Sequence, residues 1–194
     1  MTVNGLDVSG YVPIWRGQGF GMVKATEAFD YQNPAFKANW DGMYEHNVQS
    51  RFAYHYAHPD LDPSKQAAYF VAFVKAHGLL QHDHFVLDLE QPFGRTPAQV
   101  SFWAHVFCEE VQRLAPGHRV LVYTNPWFAE QGYCASLGNR YLWIANYDAE
   151  TPEVPPPWKT WTFWQLCGGS LVDHDWFNGS ASQLAEFTSH AGSM

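Results

Sequence analysis

Phe85-Val86-Leu87-Asp88-Leu89-Glu90 is an apolar run that closes on two acids set two residues apart. Such a run reads as a buried strand, here from His84 to Glu90. Side chains two apart on a strand point to the same side, so Asp88 and Glu90 would project together from its C-terminal end. Taken alone, the motif is equally an acidic strand exit capping the next loop. The rest of the chain decides how it is read.

Outward from this run the same rhythm repeats in both directions. Upstream, Val3 to Val8 and Phe20 to Ala25 read as strands, Pro34 to His46 as a helix capped by Asn33, and Arg51 to Ala57 as a strand. Asp62-Pro63 then opens a helix that Gly78 ends, the aspartate as N-cap and the proline in the first turn. Downstream, Thr96-Pro97 begins a helix to about Leu114, and Pro116-Gly117 breaks it before the strand Arg119 to Tyr123. A short helix from Pro126 leads to the strand Tyr141 to Asn146. Beyond the stiff stretch Pro152 to Pro157 the order changes. A strand from Lys159 to Leu166, a Gly168-Gly169 turn and a short strand near Leu171 to Asp173 precede a last helix over Ser182 to Ser189.

Alternating strands and helices imply a parallel sheet with helices outside it, either an open doubly wound sheet or a closed barrel. No G-x-G-x-x-G or P-loop follows any strand, which weakens the nucleotide-binding open sheet. Asp7, Glu27, Asp88, Glu90 and Asp148 all fall at or just after strand C-terminal ends. In a barrel those ends form one face, the face that carries the site. The barrel is therefore the favoured reading, and the convergence of acids raises Asp88 and Glu90 above loop caps. Two carboxyls held together cannot both ionise freely, so one keeps its proton and can act as a general acid.

The 194 residues suffice for one domain with a sizeable core. Aromatics reach 17%, with nine Trp, ten Tyr and fourteen Phe, more than packing alone usually requires and suited to sugar faces. Net charge is −8 with no basic stripe, which argues against nucleic acid as partner. No apolar run approaches the roughly 18 residues of a membrane span. Cys108, Cys134 and Cys167 are too few and too scattered for a disulfide scaffold or zinc motif.

Other residues invite scrutiny. Asp173 and Asp175 would share a face if their segment is a strand, although a turn or N-cap before the last helix suits Asp175. Trp164-Gln165 ends a strand with a ring and an amide that suit sugar contact, core packing being the alternative for Trp164. His55, His58, His82 and His84 read as solvated loop positions rather than metal ligands. Lys24 and Glu27 read as a structural pair.

The ordered segments Gly5-Leu6-Asp7-Val8-Ser9, Val23-Lys24-Ala25-Thr26-Glu27, Phe52-Ala53-Tyr54-His55-Tyr56 and Val86-Leu87-Asp88-Leu89-Glu90 resemble the glycoside hydrolase family 25 lysozymes, the Chalaropsis-type muramidases. Val122-Tyr123-Thr124-Asn125, Leu142-Trp143-Ile144-Ala145-Asn146-Tyr147, Trp164-Gln165 and Val172-Asp173 continue the match. Each is weak alone; eight in order across the chain are specific. The resemblance implies an α/β fold, a flattened and irregular TIM-like (β/α) barrel of about eight strands with helices mainly in its first part. It implies hydrolysis of the β-1,4 bond from N-acetylmuramic acid to N-acetylglucosamine in peptidoglycan strands, with no cofactor or metal. Membrane insertion and an obligate protein partner are not expected. Carried over by position, Glu90 is the general acid, Asp88 its partner, and Asp7 and Asp173 the other acids. Tyr56, Tyr123, Trp143, Gln165 and Glu27 are expected to contact substrate. A glycan-binding barrel without activity and a hydrolase of chitin-like glycans are the competing readings.

The expected division is a catalytic barrel over 1–190 and a flexible tail over 191–194. Gly10-Tyr11-Val12-Pro13 and Thr26-Glu27-Ala28 depart from the family's usual Trp-Gln and Thr-Glu-Gly at those places. Met1 to Gly10 lacks the basic and apolar regions of a secretory signal, so wall access would need another route, such as phage-type release.

Overall fold

A computed structural model describes residues 2–48, 50–168 and 171–189. Among the described residues nine strands form: β1 (Val3–Val8), β2 (Phe20–Glu27), β3 (Tyr31–Gln32), β4 (Ser50–Tyr56), β5 (His84–Asp88), β6 (Val120–Thr124), β7 (Tyr141–Ala145), β8 (Phe163–Cys167) and β9 (Asp173–Phe177). β1 pairs in parallel with β2 and antiparallel with β9, which closes β1-β2-β4-β5-β6-β7-β8-β9 into an eight-stranded barrel. β3 is a two-residue ribbon hung on β2. Full closure leaves these eight strands without a free edge.

Alternation along each strand divides the apolar residues into two cores. Phe20, Met22, Phe52, Tyr54, Val86, Leu121, Tyr123, Trp143, Phe163 and Phe177 point inward and fill the barrel. The intervening residues, among them Val23, Ala53, Phe85, Leu87, Val122 and Ile144, pack outward into the helical layer. That layer is α1 (Phe36–Glu45), α2 (Pro63–Ala76), α3 (Pro97–Leu114) and the short α4 (Pro126–Phe128), which runs into a π-helical turn over Ala129–Tyr133. No helix of the described residues separates β7 from β8 or β8 from β9, so helices accompany mainly the first part, as the sequence implied.

The N-terminal end of the barrel is plugged. Phe20, Phe52 and Phe163 meet edge to face with centroids 4.9–6.3 Å apart, and Phe187 of α5 (Ala181–Ser189) closes on Phe163 and Phe177 from below. Gly5 makes this possible: a Cβ there would stand 2.3 Å from the Phe20 ring. A filled floor closes the barrel interior at this end and leaves it open at the C-terminal mouth.

Beside the floor, Arg51 and Asp83 form a buried ion pair. Arg51 Nε and Nη2 donate to the two Asp83 oxygens at 2.8 and 2.6 Å, Nη1 donates to Trp40 O at 3.0 Å, and Leu80 N–H donates to Asp83. Asp83→Ala would leave the guanidinium buried without its counter-charge and is expected to cost about 3–5 kcal/mol. Asp41→Ala, which breaks the exposed Lys37–Asp41 pair, should cost less than about 1 kcal/mol. Urea denaturation midpoints of the two variants check the contrast.

Several boundaries differ from the sequence reading. The last strand is Asp173–Phe177, not Leu171 to Asp173, because Asp175 and Phe177 are the side chains that fill the interior. Asp175 therefore caps no helix; Ser180 Oγ accepts from Gln183 N–H and starts α5 instead. α1 begins at Phe36 rather than Pro34. Asn33 holds loops together, its amide donating to Ser9 O and Lys24 O at 2.6 and 2.7 Å. β8 starts at Phe163, after a turn in which Trp158 N–H donates to Pro155 O. Asp62 and Thr96 cap α2 and α3 as expected. The tail 191–194 and Gly169 of the expected turn lie outside the described residues.

The histidines divide differently too. His55 and His84 are fully buried, not solvated. His55 lies between Thr26 Oγ1 and Gln66 Oε1 and stacks on Phe107, and burial lowers its pKa to about 4. His84 points into the barrel floor, where burial first and then His118 lower it to about 3. Both are neutral core groups. Among the described residues, no cluster of His, Cys, Asp or Glu could hold a metal ion. Cys108, Cys134 and Cys167 are free thiols, the first two buried. No helix of the described residues is long and apolar enough to cross a membrane.

Candidate active site

The barrel mouth is built by the last inward side chain of successive strands. Asp88 ends β5, in register with Tyr56 on β4 and Tyr123 on β6. The chain stays extended for one more residue, Leu89 N–H donating to Tyr123 O at 2.9 Å. Leu89 turns outward into the core and Glu90 returns to the mouth. Asp88 is buried and Glu90 half-buried, so the pair forms one deep acid and one shallow acid.

Asp7 and Asp173 face each other across the antiparallel β1–β9 pair. Gln165 on β8 stands between them as a hub. Its Nε2 donates to Asp7 Oδ2 at 2.8 Å and to Asp173 Oδ2 at 3.2 Å. Its Oε1 accepts from Tyr123 and Tyr147 hydroxyls, each at 2.8 Å. Both donors and both lone pairs of the amide are used, so its orientation is fixed.

All four acids converge. Burial pushes the Tyr54 phenol well above its ordinary range, and the charges of Asp7, Asp88, Asp173 and Glu90 push it further. The same crowding acts on the acids. Burial and then Asp173 raise Asp7 to about 7. Burial and then Glu90 raise Asp88 well above the usual carboxylate range, while burial raises Glu90 and Lys24 opposes it. Asp88 and Glu90 therefore titrate as a pair that holds a proton where isolated carboxyls would have lost theirs.

The remaining expected residues take two positions. Tyr56 and Glu27 are at the rim. Lys24 Nζ donates to Glu27 at 2.6 Å and sits 4.8 Å from the Tyr56 ring centroid, and His58 Nε2 meets Glu27 at 3.1 Å. Burial alone would raise Glu27, but the hydrogen bonds from Lys24 and His58 hold it below its usual range. Trp143 and Gln165 are floor, 2% and 3% exposed, and Tyr123 lies 4.4 Å from the Trp143 ring. Trp164 faces outward and packs against Trp176. Asp148 is exposed in a turn with φ of 55° and joins none of these contacts.

Two residues of the mouth were not singled out from the sequence. Tyr54 was two residues before Tyr56 and so on its face. Tyr147, half-exposed, follows β7 and reaches back to Gln165. Period-two alternation could have found the first; the second depends on a loop's path. Asp175 takes the strand position that alternation offered beside Asp173, not the cap.

Comparison with known proteins bears on the family and the fold. Residues 11–172 match the glycosyl hydrolases family 25. The chain is 30% identical to an N,O-diacetylmuramidase of Chalaropsis sp, over 94% of this chain and 97% of that protein. It is 29% identical to lysozyme M1 of Streptomyces globisporus over 87% of this chain, and spans 63% of that enzyme's length. The crystal structure of a bacterial lysozyme from Streptomyces coelicolor superposes with a TM-score of 0.86 at 27% identity, covering 98% of both chains.

Proposed function

The chain belongs to glycosyl hydrolases family 25, and from that premise we propose that its mouth cuts peptidoglycan with Glu90 as proton donor and Asp88 as partner. The bond cleaved is the β-1,4 link from N-acetylmuramic acid to N-acetylglucosamine. The observation that carries the roles is the unequal pair itself. Glu90 is half-buried, within reach of a leaving oxygen, whereas Asp88 is deep, and its Oδ1 is buried without a hydrogen-bond donor.

A buried acceptor without a donor is costly unless something supplies one. An acetamido N–H next to the reacting carbon is a donor of the right kind. By donating to Asp88 it favours the ionised form there and leaves the pair's proton on Glu90. Glu90 then gives that proton to the glycosidic oxygen as the acetamido carbonyl oxygen bonds to the anomeric carbon and the C–O bond breaks. Water reopens the resulting ring, returning its proton to Glu90. Asp88 steers and charge-stabilises the acetamido group throughout.

Asp7, Asp173 and Gln165 form the opposite wall of the mouth, and Tyr56, Glu27, Tyr123 and Trp143 shape the groove between. No prosthetic group is required by this scheme. The place of action is the bacterial wall, reached by export or by phage-type release.

Mass spectrometry of digested, borohydride-reduced peptidoglycan tests the bond assignment. Muropeptides ending in reduced muramic acid are expected. Reduced glucosamine ends would make the chain a glucosaminidase and overturn the assignment. Chitin oligomers in parallel should stay uncut, and their cleavage would shift the substrate to a broader class of N-acetylated glycans.

A further inference from the structure

Asp175 is 1% exposed on β9, two residues from Asp173 and inside the barrel. Its neighbours in register are Gly5 of β1 and Gln165 of β8, so it lies directly beneath Asp7. Its Oδ1 accepts from Trp143 Nε1 at 2.7 Å, while its Oδ2 is buried and meets no donor. Asp175 and Asp7 share one interior face of the paired strands β9 and β1, close enough for each to act on the other's titration.

Two carboxylates offer only lone pairs, so a bond between them requires a proton on one. Asp7 already accepts from Gln165 Nε2. Asp175 has a buried oxygen that meets no donor among the described residues. A proton on that oxygen removes the orphan, removes a buried charge and creates the donor that an Asp7–Asp175 bond needs.

We propose that Asp175 is a positioning residue that works in its neutral form: its Oδ2 hydrogen donates to the Asp7 carboxylate and fixes it against the groove. Asp7 is thus clamped by two donors, Gln165 from β8 and Asp175 from β9, which set its direction and favour its ionised form against burial and the charge of Asp173. The chain Trp143–Asp175–Asp7 carries this from the barrel floor to the mouth. Burial first, and then the charge of Asp7, raise the Asp175 carboxyl well above the usual range, in keeping with this state. The inference rests on Asp7 being a working acid of the groove.

A protonated aspartate and an asparagine have the same shape and the same pattern, one acceptor toward Trp143 and one donor toward Asp7. Asp175→Asn is therefore expected to keep kcat/KM within about threefold of wild type. Asp175→Val and Asp175→Ala lose the donor and should fall by about tenfold or more, the loss of a hydrogen bond to a charged group. The pH profile separates positioning from mere folding. Without its donor the Asp7 carboxylate is less stable, so its pKa rises and the acid limb of kcat/KM moves to higher pH in Val and Ala, but not in Asn. The other titratable groups facing Asp7 are unchanged in every variant: Asp173 on β9, Asp88 on β5, Tyr54 on β4, Tyr123 on β6 and Tyr147 after β7.

Asp7→Asn is the control. If it retains full activity, the reading of Asp7 fails and this inference falls with it. If it is inactive while a folded Asp175→Asn is also inactive, Asp175 works as a carboxylate and the proposal alone is overturned. Full activity with an unmoved acid limb in Asp175→Val overturns it as well. Should neither Val nor Ala fold, Asp175→Ser, too short to reach Asp7, takes their place, and an unmoved acid limb in that variant overturns the proposal.

Discussion

Glu90→Gln is expected to lower turnover of purified cell walls by about three orders of magnitude, within the range for removal of a general acid. The amide keeps the shape of the protonated acid but has no proton to release, so a poor leaving group must depart as an alkoxide. Stability should hold or rise, because the change removes a charge that raises Asp88. The Asp88 carboxyl, relieved of that neighbour, should titrate at lower pH than in the wild type. Glycan binding should survive, since the pocket's shape is unaltered. Turbidity loss, a thermal melt and pull-down on insoluble walls measure these three properties separately. Full lytic activity from a folded Gln variant would remove Glu90 from its assigned role. Equal binding with no turnover in the wild type itself would instead favour a glycan-holding barrel.

How much of this was legible in the sequence depends on which period wrote the signal. Period-two alternation is local, and it placed Asp88 with Glu90, and Asp173 with Asp175, on one side of their strands, whereas Tyr56 and Tyr123 came from the resemblance. Capping chemistry is also local, and Asp62-Pro63 and Thr96-Pro97 start α2 and α3 where expected. Closure is not local. Nothing between residues 159 and 177 says that β9 turns back antiparallel and lies against β1, which makes Asp175 an interior group rather than a cap. The same ignorance of neighbours hid His55, whose outward direction on β4 leads not to solvent but into the space beneath α2 and α3. Acids and histidines between a strand and a helix look alike as loop residues until the layer above them is known. The roles within the site came from a resemblance, and only the depth difference between Asp88 and Glu90 gives them a physical footing.

That depth difference has a second consequence, at Asp88. Asp88→Asn is expected to reduce kcat by about 10²–10³, the scale for removing one preorganised electrostatic contact. Asparagine still offers an oxygen to an acetamido N–H, so KM should change little, but it carries no negative charge to balance the cationic ring formed at the anomeric carbon. A substrate lacking the acetyl group makes the argument sharper. If Asp88 acts through the acetamido group, a de-N-acetylated glycan should be turned over poorly by the wild type. The Asn variant should then be hardly worse on it, because both changes break one interaction. Independent, multiplying losses would mean that Asp88 acts on the reaction by another route. Product stereochemistry gives the complementary reading. Two displacements, first by the acetamido oxygen and then by water, return the β-anomer, which NMR of fresh digests detects before mutarotation. An α-anomer would require direct attack by water on the face opposite the leaving group, with a carboxylate activating it. Asp88 would then lose its partnership with the acetamido group, and Asp7, on the far wall beside Gln165, would become the base to test.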